Sequence, residues 1–279
     1  MTEYPHPSDR AGTADRVPSA ASPDAVDERN RRLARAGVAR AEELLMTRYR
    51  VGSQGEAFDL LRRTSQRFNV KLHTLADVAV RLPAPAAGAA DWVPNRPRGA
   101  PPPLPALHTG QARPSGHGAV LKAALRRTMH VAHTHMGHVQ LVENGMLRMA
   151  QHAGLARQFT DYFAFVGDAG SPCARAAEDR RQITVKDVAS SDTFDEASRQ
   201  AVLRTGSRAC HSVPLVGQRG GVMGVISTHH DGPVGDFSTA QLTALDHLGA
   251  QVGRWLLWHR HTVVLPALNH LHASAAHRD

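Results

Sequence analysis

Arg48, Arg62, Arg63, Gln66, Arg67, Asn69 and Lys71 fall within one short stretch of the chain. Guanidinium and ammonium groups neutralise phosphates, while amide side chains read the edges of unpaired bases, so this set points to nucleic-acid binding. Tyr49 could stack on a base, although packing within a helical unit suits it better. A second group, His130, His133, His135 and His138, offers nitrogens to a metal or haem. On a helix, positions 130, 133 and 138 do not share one face, nearby carboxylates are missing, and eighteen histidines are scattered along the chain. No metal and no cofactor is therefore expected. Cys173 and Cys210 are the only cysteines and lack CxxC spacing, which excludes a disulfide framework and a cysteine-rich zinc module. A reactive thiol would need a depressed pKa, and buried, inert cysteines are the expectation.

The elements that must hold the basic group lie between Asp27 and Leu82, a stretch without proline and dense in helix formers. A first helix is predicted over Asp27–Arg50, with Leu33, Ala34, Ala41, Leu44, Leu45 and Met46 near helical spacing. Gly52 closes it. Ser53 and Glu56 have capping-box spacing, and Ala57, Phe58, Leu61, Ser65 and Phe68 are predicted to share the inward face of a second helix ending near Asn69. A third helix, Lys71–Leu82, turns Leu72, Leu75, Ala76, Ala79 and Val80 inward and stops at Pro83. The basic residues lie off these apolar faces.

With 279 residues the chain can hold two domains. Residues 1–26 are polar, lack apolar periodicity and are expected to be disordered; 27–82 form the all-α three-helix domain; 83–117 are a proline-rich linker; 118–260 are a second domain; 261–279 are a polar C-terminal tail. The second domain is predicted to open with a helix over 118–137. A hairpin follows, from His138–Val142 through Glu143-Asn-Gly145 to Leu147–Gln151. Further strands are expected at Gln182–Val185, Ala209–Leu215 and Val222–Thr228, and helices at Phe194–Thr205 and Ser238–Trp258, giving an α+β fold. The formal net charge of +8 suits a polyanionic partner, but an arginine-rich coding bias would produce it as well, so the position of the charge carries more weight. No run of about 18 apolar residues exists, and the acidic, polar N-terminus is unlike a signal peptide. A cytoplasmic protein without membrane partners is expected.

Ala41-Glu-Glu-Leu-Leu-Met46, Gly52, Glu56-Ala-Phe58, Leu61-Arg62, Ser65, Asn69-Val-Lys-Leu72 and Asp77-Val-Ala79 together resemble the ANTAR family of transcription antitermination regulators. The chain departs from that pattern at Glu42 and Glu43, where members often carry a basic residue and a glycine. Residues 118–260 resemble a GAF domain with a central antiparallel sheet, through Met136–Val142, Phe163–Cys173, Val185–Val188, Ser212–Leu215 and Gly224–His229. The first resemblance implies binding to tandem RNA hairpins in leader transcripts, so that a terminator cannot form, and a homodimer. The second implies sensing of an unidentified small molecule, in a pocket between the sheet and the Gly167–Asp187 crossover, with Phe163, Phe165, Cys173 and His211 as lining candidates. No catalytic residues are expected. Two alternatives stay open: a sensor or interaction protein whose helices do not bind RNA, and a GAF-fold thiol redox enzyme, since that fold also serves as a methionine-sulfoxide reductase.

Overall fold

A computed structural model describes residues 22–86, 88–94, 99–107, 116–167 and 170–277. The helices are α1 (Pro23–Tyr49), α2 (Gln54–Phe68), α3 (Leu72–Arg81), α4 (His117–Val131), α5 (Arg157–Tyr162), α6 (Pro172–Asp179), α7 (Glu196–Arg204), α8 (Thr239–His259) and α9 (Leu265–Ala276). The strands are β1 (Met136–Glu143), β2 (Met146–Ala153), β3 (Phe165–Val166), β4 (Ile183–Val185), β5 (Ala209–Val216) and β6 (Val222–His230). The described residues divide into two compact units: those within 29–102 together with 257–277, and those within 103–256 together with 22–28.

In the helical unit the expected capping signals set the boundaries. The Ser53 hydroxyl accepts a hydrogen bond from the Glu56 N–H and opens α2. Asn69 closes α2 in the left-handed region (φ 49°), its N–H reaching the Gln66 and Ser65 carbonyls. α3 ends at Arg81, with Leu82 between it and Pro83, which cannot donate to the helix. Ala41, Leu45, Ala57, Leu61, Leu75, Ala76, Val78 and Ala79 form the core of this unit, joined by Leu265, Ala267, Leu268 and Leu271 of α9.

The three expected helices therefore gain a fourth, formed by residues that the sequence suggested were a polar tail. Leu265, Leu268, Leu271 and Ala275 are spaced for one helical face, but the intervening Asn269, His270, His272 and Ser274 disguise the stripe. The buried polar members are paired. Asn269 accepts from the Val93 N–H at 3.0 Å and donates to Asp91. The His272 Nε2 lies 2.8 Å from the Ala89 carbonyl; a carbonyl only accepts, so Nε2 carries the proton and Nδ1 accepts from the Tyr49 hydroxyl at 2.6 Å. Pro266 has no N–H to offer Thr262, and the preceding turn, Arg260–Val264, widens to π-helical form.

The expected linker also differs from an extended spacer. Trp92 is buried in the helical unit with its indole N–H on the Pro83 carbonyl at 2.9 Å. Leu104 and Leu107 are buried too, and the Ala106 N–H donates to the Gln251 side chain. These aromatic and aliphatic anchors outweigh the proline-rich composition that suggested a spacer. The expectation of disorder over 1–26 falls mostly outside the described residues; from Pro23 onward the chain is already α1.

The second unit is built on a six-stranded antiparallel sheet of order β3-β2-β1-β6-β5-β4. Asn144 and Gly145, both at positive φ, make the tight turn of the β1–β2 hairpin. The predicted helix over 118–137 ends earlier, at Val131, and gives way to β1 by Met136. α8 packs close to β5: a Cβ added at Gly249 would lie 2.6 Å from the Pro214 carbonyl oxygen.

Truncating one α9 side chain tests the fourth helix. Leu268→Ala should destabilise the helical unit by about 2–5 kcal/mol, as for other fully buried leucines. Denaturant unfolding followed by Trp92 fluorescence measures it; an unchanged midpoint would place α9 outside the core.

Candidate functional site

Ala57, Leu61 and Thr64 of α2 face the core, which leaves the opposite arc of the helix to solvent. Arg62, Arg63, Gln66 and Arg67 lie on that arc, exposed, and Asn69 and Lys71 are exposed in the turn that follows. Arg62 is held by Asp59, its Nε and Nη2 both donating to Oδ1 at 3.1 and 3.0 Å. Arg63, Arg67 and Lys71 have no carboxylate partner among the described residues. Arg63 and Arg67 are one helical turn apart, and like charges at that spacing repel.

Arg48 is not part of this group. Its guanidinium lies 4.6 Å from the centre of the Trp92 ring, and its Nη1 is buried. The last turn of α1 points it at the tryptophan, so packing and cation–π attraction hold it. Tyr49, paired to His272, is likewise a packing residue. Glu42 turns inward, where the Gln54 amide donates to its carboxylate at 2.7 Å, while Glu43 stays exposed. Phe58 departs from the sequence expectation: it lies beyond the buried seam and is exposed (38%). One step of about 100° from buried Ala57 carries it off the core face, a displacement the run Ala57-Phe58 conceals.

In the sheet unit, strand alternation sorts the four pocket candidates. Phe163 packs with Phe159, Val185, Val188 and Cys210, and Cys173 packs with Leu147, Ala176, Ile183 and Val225. These share the face covered by α5 and α6. His211 follows Cys210 and pairs with Thr184, and Phe165 precedes Val166 and pairs with Arg148, so both occupy the opposite face. There the His211 Nε2–H donates to the Gln182 side-chain oxygen at 2.9 Å, Nδ1 accepts from Thr184 at 2.8 Å, and the Gln182 amide reaches the Leu242 carbonyl of α8. His211 thus ties the sheet to α8, and Phe165 carries the Arg148 guanidinium 5.5 Å above its ring. The register that decides these faces cannot be read from residue types.

Polar residues line the α5 face: His138, considered above only as a metal or haem ligand, and Gln140, Ser207, Ser212, Ser227 and His229, to which the residue types assign no role. The His138 Nδ1 lies 3.3 Å from the His229 Nε2, and the His229 Nδ1 lies 3.0 Å from the Ser207 hydroxyl. Both rings pack on Phe159. The Gln140 amide donates to the Phe163 carbonyl at 2.9 Å, while its Oε1 and the His138 Nε2 are buried with no hydrogen bond within 3.5 Å among the described residues, although His138 and Gln140 are close enough to interact. Ser212 and Ser227 pair at 2.8 Å further along. The signal that could have found this floor is the alternation His138-x-Gln140 in a strand otherwise apolar.

Burial sets the protonation of these groups. It holds His138 and His211 down to about 4, and it holds His229 well below the ordinary histidine value, with His138 adding to the effect. It pushes the thiols of Cys173 and Cys210 up, away from the thiolate that redox chemistry requires, although Ser171 beside Cys173 works the other way. Among the described residues no group of three or more His, Cys, Asp or Glu side chains is placed to hold a metal ion.

A family model described as the GAF domain matches residues 117–256, and one described as the ANTAR domain matches residues 28–78. Among solved structures, the chain is similar to the GAF domain from Acinetobacter phosphoenolpyruvate-protein phosphotransferase, with 14% identity over 72% of this chain and 93% of that one and a TM-score of 0.42. It is similar to a GAF domain/HD domain protein from Geobacter sulfurreducens, with 18% identity over 56% and 93% and a TM-score of 0.42. It is also similar to the type II free methionine-R-sulfoxide reductase from Thermoplasma acidophilum, with 14% identity over 52% and 95% and a TM-score of 0.39. No curated protein matches the chain.

The buried histidines make stability depend on pH. Their folded-state pKa values lie below the value of about 6.5 in the unfolded chain, so the folded state binds fewer protons between those limits. Stability should be complete above about pH 6.5 and fall steadily towards pH 4, with His138 and His211 each contributing on the order of 3 kcal/mol and His229 acting in the same direction. Urea midpoints at pH 7.5, 6 and 5 measure the slope, and His211→Gln should flatten it.

Proposed function

The chain belongs to the GAF domain family and carries an ANTAR domain in the same polypeptide, and from that premise we propose that it is an RNA-binding transcription antitermination regulator gated through its GAF domain. Its coarse role is that of a regulator with a sensory domain. The finer reading rests on one observation: Arg63 and Arg67, one turn apart on α2, and Lys71, just past the turn that closes it, are all exposed, with no carboxylate partner among the described residues. Keeping like charges side by side costs folding stability, and a polyphosphate backbone removes that cost on binding. Arg62, Gln66 and Asn69 flank the row and supply hydrogen-bonding groups for unpaired bases. The inward turn of Glu42 takes one of the two unexpected carboxylates away from any phosphate.

In this reading the helical unit binds tandem hairpins of a leader transcript, a homodimer supplies the two units that two hairpins need, and the bound RNA cannot fold into a terminator. A small molecule in the GAF domain shifts the balance between a binding and a non-binding state by its unequal affinity for the two. The work is done in the cytoplasm, and no described helix is long and apolar enough to cross a membrane. Thiol redox catalysis is disfavoured because both cysteines are buried with raised pKa values.

Binding of a tandem-hairpin RNA across a salt series tests the proposal. The triple variant Arg63→Ala, Arg67→Ala, Lys71→Ala should weaken binding and reduce the slope of log K against log salt by about 0.7 for each phosphate no longer neutralised. Absence of wild-type binding would make the chain a sensor or interaction protein instead.

A further inference from the structure

Phe58 is the exposed large apolar side chain of the described residues, and it sits on the same helix as the basic row. With Phe58 as origin and about 100° per residue, Arg62 lies roughly 40° round the helix, Gln66 roughly 80°, Arg63 roughly 140° and Arg67 roughly 180°. The solvent arc of α2 therefore runs in order from an aromatic ring, through a guanidinium and an amide, to two unpaired cations. Two of the three guanidinium nitrogens, Nε and Nη2, donate to one oxygen of Asp59 in an exposed pair that favours one orientation of the group. Asp59 offsets part of its charge, and the guanidinium keeps a flat face that can stack.

We propose that Phe58 is a stacking platform for an unpaired RNA base, with Arg62 beside it as a second flat surface and Gln66 placed to read the base edge. The inference rests on the RNA-binding reading above and names the part of the RNA that α2 would recognise: a single-stranded loop base. The phosphates of the same loop would lie along Arg63, Arg67 and Lys71. Double-stranded RNA keeps its base faces stacked inside the helix and offers nothing to an exposed phenyl ring, whereas a hairpin loop offers splayed bases. Stacking on an aromatic ring is worth enough to change affinity severalfold or more per base.

A protein partner fits the same surface poorly. A stable interface covers about 800 Å² on each side around an apolar centre, and Phe58 has no second exposed large apolar residue beside it among the described residues. Its neighbours along the arc are charged or amide side chains. Because the ring is already outside the core, its removal leaves the packing of Ala57, Leu61 and Thr64 in place.

The test compares the full chain with Phe58→Ala, Phe58→Trp and the triple basic variant, on a hairpin with its loop and on a blunt duplex of the same stem. Phe58→Ala should weaken loop binding roughly tenfold while leaving the salt slope unchanged, because the phenyl ring neutralises no phosphate. Phe58→Trp should restore or tighten binding, and neither variant should alter binding to the duplex. The basic variant should lower the slope on both RNAs. Circular dichroism of Phe58→Ala, expected to match wild type, separates this effect from unfolding. The inference is overturned if the wild type binds the hairpin and Phe58→Ala binds it equally, or if Phe58→Ala loses duplex affinity in proportion. A change in sedimentation behaviour without a change in RNA affinity would also overturn it, making Phe58 a self-association residue. Wild-type protein that binds neither RNA would remove the RNA reading itself.

Discussion

The apolar seam left by α1, α2 and α3 must be covered, and the arrangement of the helical unit follows from that requirement. α2 and α3 are short, with one buried stripe each, and isolated helices of this length are marginal in water. Leu265, Leu268 and Leu271 close the stripe from the C-terminal end of the chain. The cover is also specific in register: the Tyr49–His272–Ala89 relay and the Asp91–Asn269–Val93 bridge each satisfy buried polar groups that would be left unpaired if α9 slid by one residue. With the seam closed, the far arc of α2 is free to carry cations and an aromatic ring that contribute nothing to the core.

Much of this was legible in the residues. Ser53 and Glu56, Asn69 and Pro83 fixed the ends of α2 and α3 because each acts through local backbone chemistry. Asn144-Gly145 marked the hairpin for the same reason. The two-domain layout, with a three-helix segment followed by an antiparallel sheet, was readable from periodicity and from family resemblance. α9 was not, because its apolar spacing is interrupted by histidines and asparagine whose partners lie between 176 and 223 residues earlier in the chain. β3, only two residues long, leaves no periodic signal at all.

The sensor face shows a different limit. Residue type alone made Phe163, Phe165, Cys173 and His211 look equivalent, yet strand parity divides them between two faces. Phe163 and Cys173 share a side with the His138–His229–Ser207 chain, while His211 became a brace for α8. A histidine between Gln182 and Thr184 serves geometry, and a histidine between His229 and Gln140 belongs to a buried polar floor. Burial is nearly the same for both, so only the hydrogen-bond inventory distinguishes them.

The placement of α9 has a consequence for how the protein is made. The ribosome releases α1, α2 and α3 early, but the helix that completes their core is encoded about 190 residues after Leu75. At about 5–20 residues per second, the gap is on the order of ten to forty seconds. During that interval the nascent helices lack their cover, and the sheet unit is synthesised and can fold before they are finished. In a chain built this way, the residues of the sheet unit are all synthesised before the helical unit has its fourth helix.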